Sequence, residues 1–350
     1  MIIQEDFRNR FNHAHAVFLW FIFLWFHPFI RIWFVTLILE KNPFLVVVTG
    51  PTSSGKSSLA IWLAEQLDGE LICCDSMQVY RGMDIGTAKP TETERNRVSH
   101  HLFDQVNPDE SYSVGRFVRE SEEVINKLKL RKKIPILVGG TGMYLRSLLF
   151  GLSQIPEVSS NIKLQVKKWQ KEEGTPACWQ KLKEVDPEGA EKLHPNDTSR
   201  IMRALEVAIS SGQPISSFQD NDNSNAQRYP FYGMICDRPR QELYDRINRK
   251  TLEMMDQGWI DEVRKLLAQY PENLKPFQSI GYREIIQFLR GELESSDLVP
   301  LIQQRTRQYA KRQLTWFRKE NHLVWSHPDK KEQILKECMV CLEKIGQNQA

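Results

Sequence analysis

The sequence predicts an α/β fold in which helices flank a parallel sheet and an all-helical domain is inserted into the core. Two apolar, β-branched runs, at residues 45–48 and 134–138, predict buried parallel strands, and glycines and a helical stretch follow each. Residues 161–212 are charged and helical in pattern, and a further strand is predicted over Phe231–Cys236. This order indicates a βαβ core that the chain leaves and later re-enters.

The loop after the first strand has the spacing G-x-x-x-x-G-K-S. Gly50 and Gly55 allow backbone turns that aim several N–H groups at one anion, and the next helix adds the positive end of its dipole. Lys56 places an ammonium group beside the phosphates, and the Ser57 hydroxyl suits Mg²⁺. The pattern predicts a P-loop NTPase-like core, without choosing between kinase, NTPase and other phosphate chemistry. The alternative is a Gly/Ser-rich turn with a chance lysine.

Three segments are expected to meet at the carboxyl edge of the sheet, where such sheets bind ligands. They are the P-loop, Asp75 at the end of a short strand over residues 70–75, and residues 139–141 after the strand at 134–138. A helix is predicted over Val114–Leu130, between the strand at 70–75 and the strand at 134–138. From its position alone, Asp75 could serve as a general base, a magnesium ligand or a helix cap.

Changes in composition divide the chain into five segments. Residues 219–228 are polar and turn-prone, which marks the return from the helical insertion to the core. The predicted segments are a hydrophobic N-terminal extension (1–43), the first part of the P-loop core (44–155), the helical insertion (156–228), the completed core with basic helices (229–325) and a C-terminal helix or tail (326–350).

The N-terminal extension is strongly apolar, and residues 11–30 contain no Asp, Glu, Lys or Arg. On length alone this stretch is a candidate membrane helix or anchor. A signal-like segment is a second interpretation, which the missing small-residue cleavage site disfavours. A third is a spurious extension upstream of the true start, although the next methionine, Met77, lies beyond the P-loop.

The net charge of +3 excludes a polycationic protein, so contacts with nucleic acid must come from local patches. A long basic stretch late in the chain, residues 298–319, has no acidic residue. Arg305, Arg307, Lys311 and Arg312 are interleaved there with aromatic residues, a pattern that suits phosphate contacts and base stacking. The alternative is an amphipathic helix whose aromatic residues are core and whose cations are solvated.

The six cysteines are scattered without a disulfide framework, which indicates a reducing compartment. Cys338 and Cys341 form C-x-x-C, but neither a second pair nor a following histidine completes a zinc site. We therefore expect both on one face of a terminal helix.

Seven ordered motifs carry a resemblance to a known family. They are GPTSSGKS at residues 50–57, DSMQVYRGMDIGTAKP at 75–90, HHLFD at 100–104, ILVGGTGMY at 136–144, HPNDTSRIMRALE at 194–206, SIGYR at 279–283 and RQYAKRQLTW at 307–316. Over about residues 44–325 the chain resembles the tRNA dimethylallyltransferases (tRNA isopentenyltransferases). The C-terminal zinc finger of eukaryotic members is absent from the sequence, so the bacterial type is expected.

The resemblance implies transfer of a dimethylallyl group from dimethylallyl diphosphate to N6 of adenine-37 of tRNA, beside the anticodon. The products would be N6-(dimethylallyl)adenosine and diphosphate. It implies Mg²⁺ as cofactor, bound at Ser57, and Asp75 as general base, with Thr52, Thr141 and Lys56 as further catalytic residues. The residues implied to bind the diphosphate are Gly50, Pro51, Thr52, Ser53, Ser54, Gly55, Lys56, Ser57 and Arg246.

The resemblance also implies the tRNA anticodon stem-loop as partner. The residues that match tRNA-contacting segments are Asp75, Ser76, Met77, Gln78, Thr141, Lys163, Ser199, Arg200, Ile201, Met202, Arg203, Gln278, Ser279, Ile280, Gly281, Tyr282, Arg283, Arg307, Lys311 and Arg312. It further implies a cytoplasmic monomer without an obligate protein partner, and the apolar N-terminal segment leaves a membrane-anchored form open.

Three other functions compete with this one. A small-molecule kinase would use the same loop with ATP as phosphoryl donor. An adenylate isopentenyltransferase would act on free nucleotides; the helical insertion and the basic stretch argue against it, because a mononucleotide needs no such surface. A P-loop domain that only binds nucleic acid would not need Asp75 beside an intact loop.

Overall fold

The computed structural model describes residues 43–152, 155–220 and 226–347. The apolar stretch at residues 11–30 lies outside these ranges. Within them, no helix is both long enough and apolar enough to cross a bilayer. The described chain forms two compact units: the first comprises the residues up to Leu148 and from Tyr229 onward, and the second is Leu149–Arg228.

The first unit contains a parallel sheet. The strands described are β1 (Leu45–Thr49), β2 (Gly69–Cys73), β3 (His100–His101), β4 (Ile134–Gly139), β5 (Phe231–Cys236) and β6 (Val324–Ser326). Their order is β3-β2-β4-β1-β5-β6, so β1 is central: Val47 pairs with Leu137 on one side and with Gly233 on the other. Every residue of β1 and β4 is buried, as the continuous apolar runs predict for a sheet covered on both faces.

Several helices begin where the sequence supplies a cap. The helices described are α1 (Lys56–Leu67), α2 (Glu92–Arg97), α3 (Val114–Leu130), α4 (Gly142–Phe150), α5 (Ser160–Val185), α6 (Pro187–Glu191), α7 (Thr198–Ser211), α8 (Ile215–Asp220), α9 (Arg240–Asp256), α10 (Trp259–Leu267), α11 (Tyr282–Leu289), α12 (Ser295–Phe317) and α13 (Lys331–Gln347), with a 3₁₀ turn at Lys275–Gln278. Thr91 and Glu94 form a capping box at α2, and the Ser113 hydroxyl accepts the Arg116 N–H at α3.

The prediction that Asp75 ends the strand at residues 70–75 is wrong: β2 ends at Cys73, and Asp75 lies two residues beyond it. The strand stops at Cys73, and the backbone of Cys74 turns towards β4: its N–H donates to the Val138 carbonyl over 2.8 Å, and its carbonyl accepts the Thr141 N–H over 3.2 Å. A Cβ on Gly139 would lie 1.9 Å from the Cys74 carbonyl oxygen. Glycine is therefore required at this crossing.

The second unit is helical, with α5, α6, α7 and α8, and no strand is assigned to its described residues. α5 is interrupted at Gly174, where φ is 84°. The buried Asp186 side chain accepts the Gly189 N–H over 2.8 Å and the Ser216 hydroxyl over 2.8 Å, which ties α6 to α8. Residues 219 and 220 of the predicted linker belong to α8, and residues 221–225 lie outside the described ranges.

The C-terminal helix α13 packs on the sheet core. Cys338 is fully buried there and Cys341 packs beside it, which confirms that the C-x-x-C pair shares a helix face. The Tyr232 hydroxyl on β5 donates to Glu337 over 2.9 Å and joins the helix to the sheet. All six cysteines carry free thiols.

Candidate active site

The first unit contains a cleft of about 1030 Å³ at the carboxyl edge of its sheet. The segments that the sequence places at this edge contribute to it: Lys56, Asp75 and Gly139 all line the cleft. Side chains from α9, α10 and α12 form the rest of the wall, among them Arg246 and Tyr309. A phosphate loop and a carboxylate therefore share one cavity.

The P-loop needs glycine at two positions. Gly50 has a φ of 143°, and a Cβ there would lie 3.0 Å from the Cys236 carbonyl oxygen. Gly55 has a φ of 94° and directly precedes α1. Such a loop directs backbone N–H groups and a helix N-terminus at one anion. Ser57, in the first turn of α1, is exposed and lines the cleft, where its hydroxyl is available to a metal ion.

Lys56 is held at the loop by a hydrogen bond from its Nζ to the Pro51 carbonyl, 3.3 Å away. Burial lowers the pKa of Lys56, and the nearby Asp75 carboxylate opposes that shift. A bound diphosphate would oppose it further, since a nearby anion favours the charged ammonium.

Two arginines hold the carbonyl groups of the loop. Arg246 Nε donates to the Ser53 carbonyl over 2.8 Å, and Arg238 Nε donates to the Ser54 carbonyl over 2.7 Å. Burial and the charge of Arg238 lower the pKa of Arg246, so an anion at its guanidinium would relieve an unfavourable charge. Arg238 is itself paired with Asp329 at 2.7 Å and with Glu242 on α9. The sequence reasoning identified Arg246 and missed Arg238.

Asp75 is oriented by its neighbours on two loops. Its Oδ1 accepts the Met77 N–H over 2.9 Å, and the Ser76 N–H donates to Thr141 Oγ1 over 3.0 Å. Burial and the Asp75 carboxylate both raise the pKa of Tyr309, whose phenol also lines the cleft. Tyr309 therefore stays protonated and can act as a hydrogen-bond donor in the cleft.

The loop that follows Asp75 is held together by a buried lysine that the sequence reasoning missed. Lys89 Nζ donates to the Tyr80 carbonyl (2.6 Å), to Asp84 (2.7 Å) and to Asp104 (2.5 Å). Gln78 Nε2 donates to the Thr87 carbonyl over 2.9 Å within the same loop. No local pattern marks such a lysine, because its partners lie on separate turns.

The segments matched to tRNA contact differ in exposure. Gln278, Ser279 and Ile280 line the cleft. Tyr282 lines it too, although its side chain is largely buried and its hydroxyl donates to Glu262 over 2.6 Å. In the second unit, the matched residues Lys163, Ser199 and Arg200 are exposed. Met202 and Arg203 are half-buried, and Ile201 is buried.

The basic stretch forms α12, and its faces have different roles. Lys311 and Arg312 are exposed, and Arg312 lines the cleft. Arg307 donates to the Asn248 side chain over 2.6 Å. Of the aromatic residues at the end of α12, Phe317 is buried (1% exposed) and not available for stacking. Trp316 is half-buried, and its indole packs so closely that a Cβ on Gly142 would lie 2.1 Å from its Nε1. For Phe317 the core alternative is correct.

Fold and site together define a P-loop α/β protein in which a carboxylate faces the phosphate loop. The family described as IPP transferase matches residues 78–320, and the family described as isopentenyl transferase matches residues 43–108. The chain is 45% identical to the tRNA dimethylallyltransferase of Geobacter metallireducens over 302 residues. It is 43% identical to tRNA dimethylallyltransferase 1 of Pelobacter propionicus over 303 residues. Each alignment covers 86% of this chain and 98% of the relative.

Solved structures give the same result. A tRNA isopentenylpyrophosphate transferase of Bacillus halodurans matches with a TM-score of 0.67 and 34% identity, over 88% of this chain and 99% of that chain. A eukaryotic dimethylallyltransferase acting on tRNA matches with a TM-score of 0.71 and 28% identity, over 82% of this chain and 74% of that chain. The chain belongs to the tRNA dimethylallyltransferase family, which confirms the resemblance in the sequence.

Proposed function

We propose that this protein transfers the dimethylallyl group of dimethylallyl diphosphate to N6 of adenine-37 in tRNA. The observation that carries the proposal is the shared cleft, in which Asp75 faces a P-loop whose backbone Arg246 holds. Family membership supports it, because the relatives matched over most of the chain are tRNA dimethylallyltransferases. The products are N6-(dimethylallyl)adenosine and diphosphate.

The P-loop side of the cleft stabilises the leaving group. As the C–O bond of the donor breaks, negative charge grows on the diphosphate. Lys56, the loop N–H groups and Arg246 stabilise that charge. Ser57, whose exposed hydroxyl lines the cleft, is the residue that would hold Mg²⁺. Mg²⁺ would take its other ligands from diphosphate and water, and it would neutralise charge on the leaving group.

The Asp75 side of the cleft serves the acceptor. The exocyclic amine of adenine is a weak nucleophile, so a base must take its proton as the C–N bond forms. Asp75 is assigned this role, and Thr141 orients the loop on which Asp75 lies. Thr52 lines the cleft beside the donor. The base has to leave the anticodon-loop stack to reach this cavity.

Each unit carries residues that this proposal assigns to tRNA binding. In the first unit these include Lys311 and Arg312 of α12 and the cleft residues Gln278 and Ser279. The second unit contributes the exposed cations and polar groups among its matched residues. Ile201 is buried, so it supports its neighbours and does not touch the RNA itself. We expect a monomer that works in the cytoplasm, where its tRNA substrate is found, without an obligate protein partner.

Labelled donor decides between this function and its rivals. The protein is incubated with labelled dimethylallyl diphosphate, Mg²⁺ and unmodified tRNA, with and without ATP. We expect label on adenine-37 without any need for ATP, which a small-molecule kinase would require. Free AMP in place of tRNA should accept little label, which separates the protein from an adenylate isopentenyltransferase. Folded protein that leaves adenine-37 unlabelled would refute the proposal.

The Asp75→Ala variant separates catalysis from binding. It should bind tRNA almost as the wild type does and slow the chemical step by about 10²-fold or more. Asp109→Ala, which removes an exposed carboxylate of the same unit, is the matched control and should keep full activity. A near-normal rate for Asp75→Ala would remove the general-base role.

A further inference from the structure

Gln313 joins two loops of the candidate active site. It is 7% exposed, and both ends of its amide bond backbone groups. Its Oε1 accepts the Thr52 N–H over 2.9 Å, and its Nε2 donates to the Gly140 carbonyl over 3.0 Å. A Cβ on Gly140 would lie 2.4 Å from Nε2, so glycine is needed for this contact.

The bond from Thr52 to Gln313 reduces the number of P-loop N–H groups that can bind a phosphate. The N–H of Thr52 is directed at Gln313 and is therefore withdrawn from the loop amides that can face a phosphate. The Thr52 side chain still lines the cleft. Gln313 thus fixes the backbone of the P-loop at Thr52, one of the residues assigned a catalytic role.

The second bond continues towards the base. Gly140 is followed by Thr141, whose Oγ1 accepts the Ser76 N–H next to Asp75. One continuous set of contacts therefore connects the P-loop, Gln313, the β4–α4 loop and Asp75. Arg312, the neighbour of Gln313 on α12, lines the same cleft. An RNA bound by this helix would therefore have a fixed position relative to the P-loop and the β4–α4 loop.

We infer that Gln313 is a positioning residue that sets the distance between the diphosphate loop and the carboxylate of Asp75. The inference rests on the proposed function. Misplacement of reacting groups by about 1 Å can reduce a rate by about 10²-fold, so a single side chain between the two loops can control the chemical step without touching a substrate.

Two variants of Gln313 and two matched controls test this. Gln313→Glu keeps the acceptor for Thr52 but sets a carboxylate against the Gly140 carbonyl, and Gln313→Met removes both bonds at similar size. We expect kcat per folded site to fall by about 10- to 100-fold in both, with KM for tRNA changed by less than about threefold. Gln269→Glu and Gln269→Met, at an exposed position two residues after α10, should match the wild type.

A second readout does not depend on the transfer reaction. Calorimetry with inorganic diphosphate reports the shape of the loop, and we expect affinity about fivefold weaker for Gln313→Met. If the wild type binds diphosphate but transfers no dimethylallyl group, the proposed function fails, and this measurement still tests Gln313. Values of kcat and diphosphate affinity within about twofold of wild type in both Gln313 variants would overturn the inference.

Hydrogen exchange tests the same contact if neither variant folds. In the unliganded wild type, the amide of Thr52 should exchange much more slowly than an exposed loop amide, because Gln313 holds it. Exchange at the rate of an exposed loop would overturn the inference.

Discussion

The Ser76 N–H donates a hydrogen bond to Thr141 Oγ1 over 3.0 Å and thereby joins the loop after β2 to the loop after β4. The bond lies one residue from Asp75, whose Oδ1 accepts the Met77 N–H. The orientation of the assigned base therefore depends on a hydroxyl in the loop that follows a different strand.

Removing that hydroxyl should impair chemistry more than folding. We expect Thr141→Val to lower the single-turnover rate about tenfold or more, because the Ser76 N–H loses its acceptor and the Asp75 loop is free to shift. Thr141→Ser retains the oxygen and should stay within about threefold of wild type. Equal rates for Thr141→Val and wild type would show that the bond does not orient Asp75.

A second prediction concerns the pH dependence of donor binding. Because burial lowers the pKa of Lys56, its ammonium loses its proton at a lower pH than an exposed lysine does. The charged form binds the diphosphate, so KM for the donor should rise as the pH increases from about 7 to 10. Lys56→Arg stays protonated throughout this range, and its KM, even if higher, should remain flat. Parallel profiles for the two proteins would assign the dependence to another group.

The sequence predicts those parts of the fold that local pattern determines. The helix Val114–Leu130 and the strand Phe231–Cys236 have the predicted bounds, because periodicity, apolar runs and flanking turn residues are all local signals. The end of β2 is less well predicted, since the strand stops where Cys74 turns to bond residues near β4. That turn depends on a contact across the sheet.

The supporting residues of the site could not be predicted in this way. Gln313 and Thr52 are 261 positions apart, and Arg238 reaches the Ser54 carbonyl across 184 positions. Gln313 and Arg238 are of polar residue types that usually lie on the surface. Only folding shows that they are buried and that their partners are backbone groups of the P-loop, which has a recognisable spacing of its own.

A third prediction concerns stability. Glu70 accepts a bidentate pair from Arg131, both bonds at 2.9 Å, and contacts His101 Nε2 at 2.7 Å. Burial alone would raise its pKa, but the hydrogen bonds from His101 and Arg131 outweigh burial and lower it. Glu70→Gln should lower the free energy of unfolding at pH 7 by about 1–3 kcal/mol, measured by urea denaturation.

The pH dependence of that difference has a defined sign. The folded-state pKa of Glu70 lies below its unfolded value, so its stabilisation is complete above the unfolded pKa and is lost as pH falls through the folded pKa. The gap between wild type and Glu70→Gln should therefore narrow in acid. Glu123→Gln, at an exposed position of α3, is the control and should be neutral. A gap that persists unchanged in acid would mean that the loss comes from packing.

The last prediction separates the cations of α12. The exposed Lys311 and Arg312 are assigned to phosphate contacts, whereas Arg305 pairs with the fully buried Glu284. Replacing Lys311 and Arg312 together by glutamine should weaken tRNA binding and reduce the slope of log K against log salt by about 2, one for each lost phosphate contact. The midpoint of thermal unfolding should hardly change.

Arg305→Gln should have the opposite profile. Glu284 would lose one of its two arginine partners, since Arg283 alone remains at 3.1 Å, and a poorly compensated buried carboxylate costs about 3 kcal/mol of stability. Its salt slope for tRNA, measured on the folded fraction, should equal that of the wild type. If Arg305→Gln instead flattens the slope while Lys311 and Arg312 prove neutral, the RNA lies along the other face of α12. The exposed cations would then be merely solvated, as the amphipathic-helix alternative predicts.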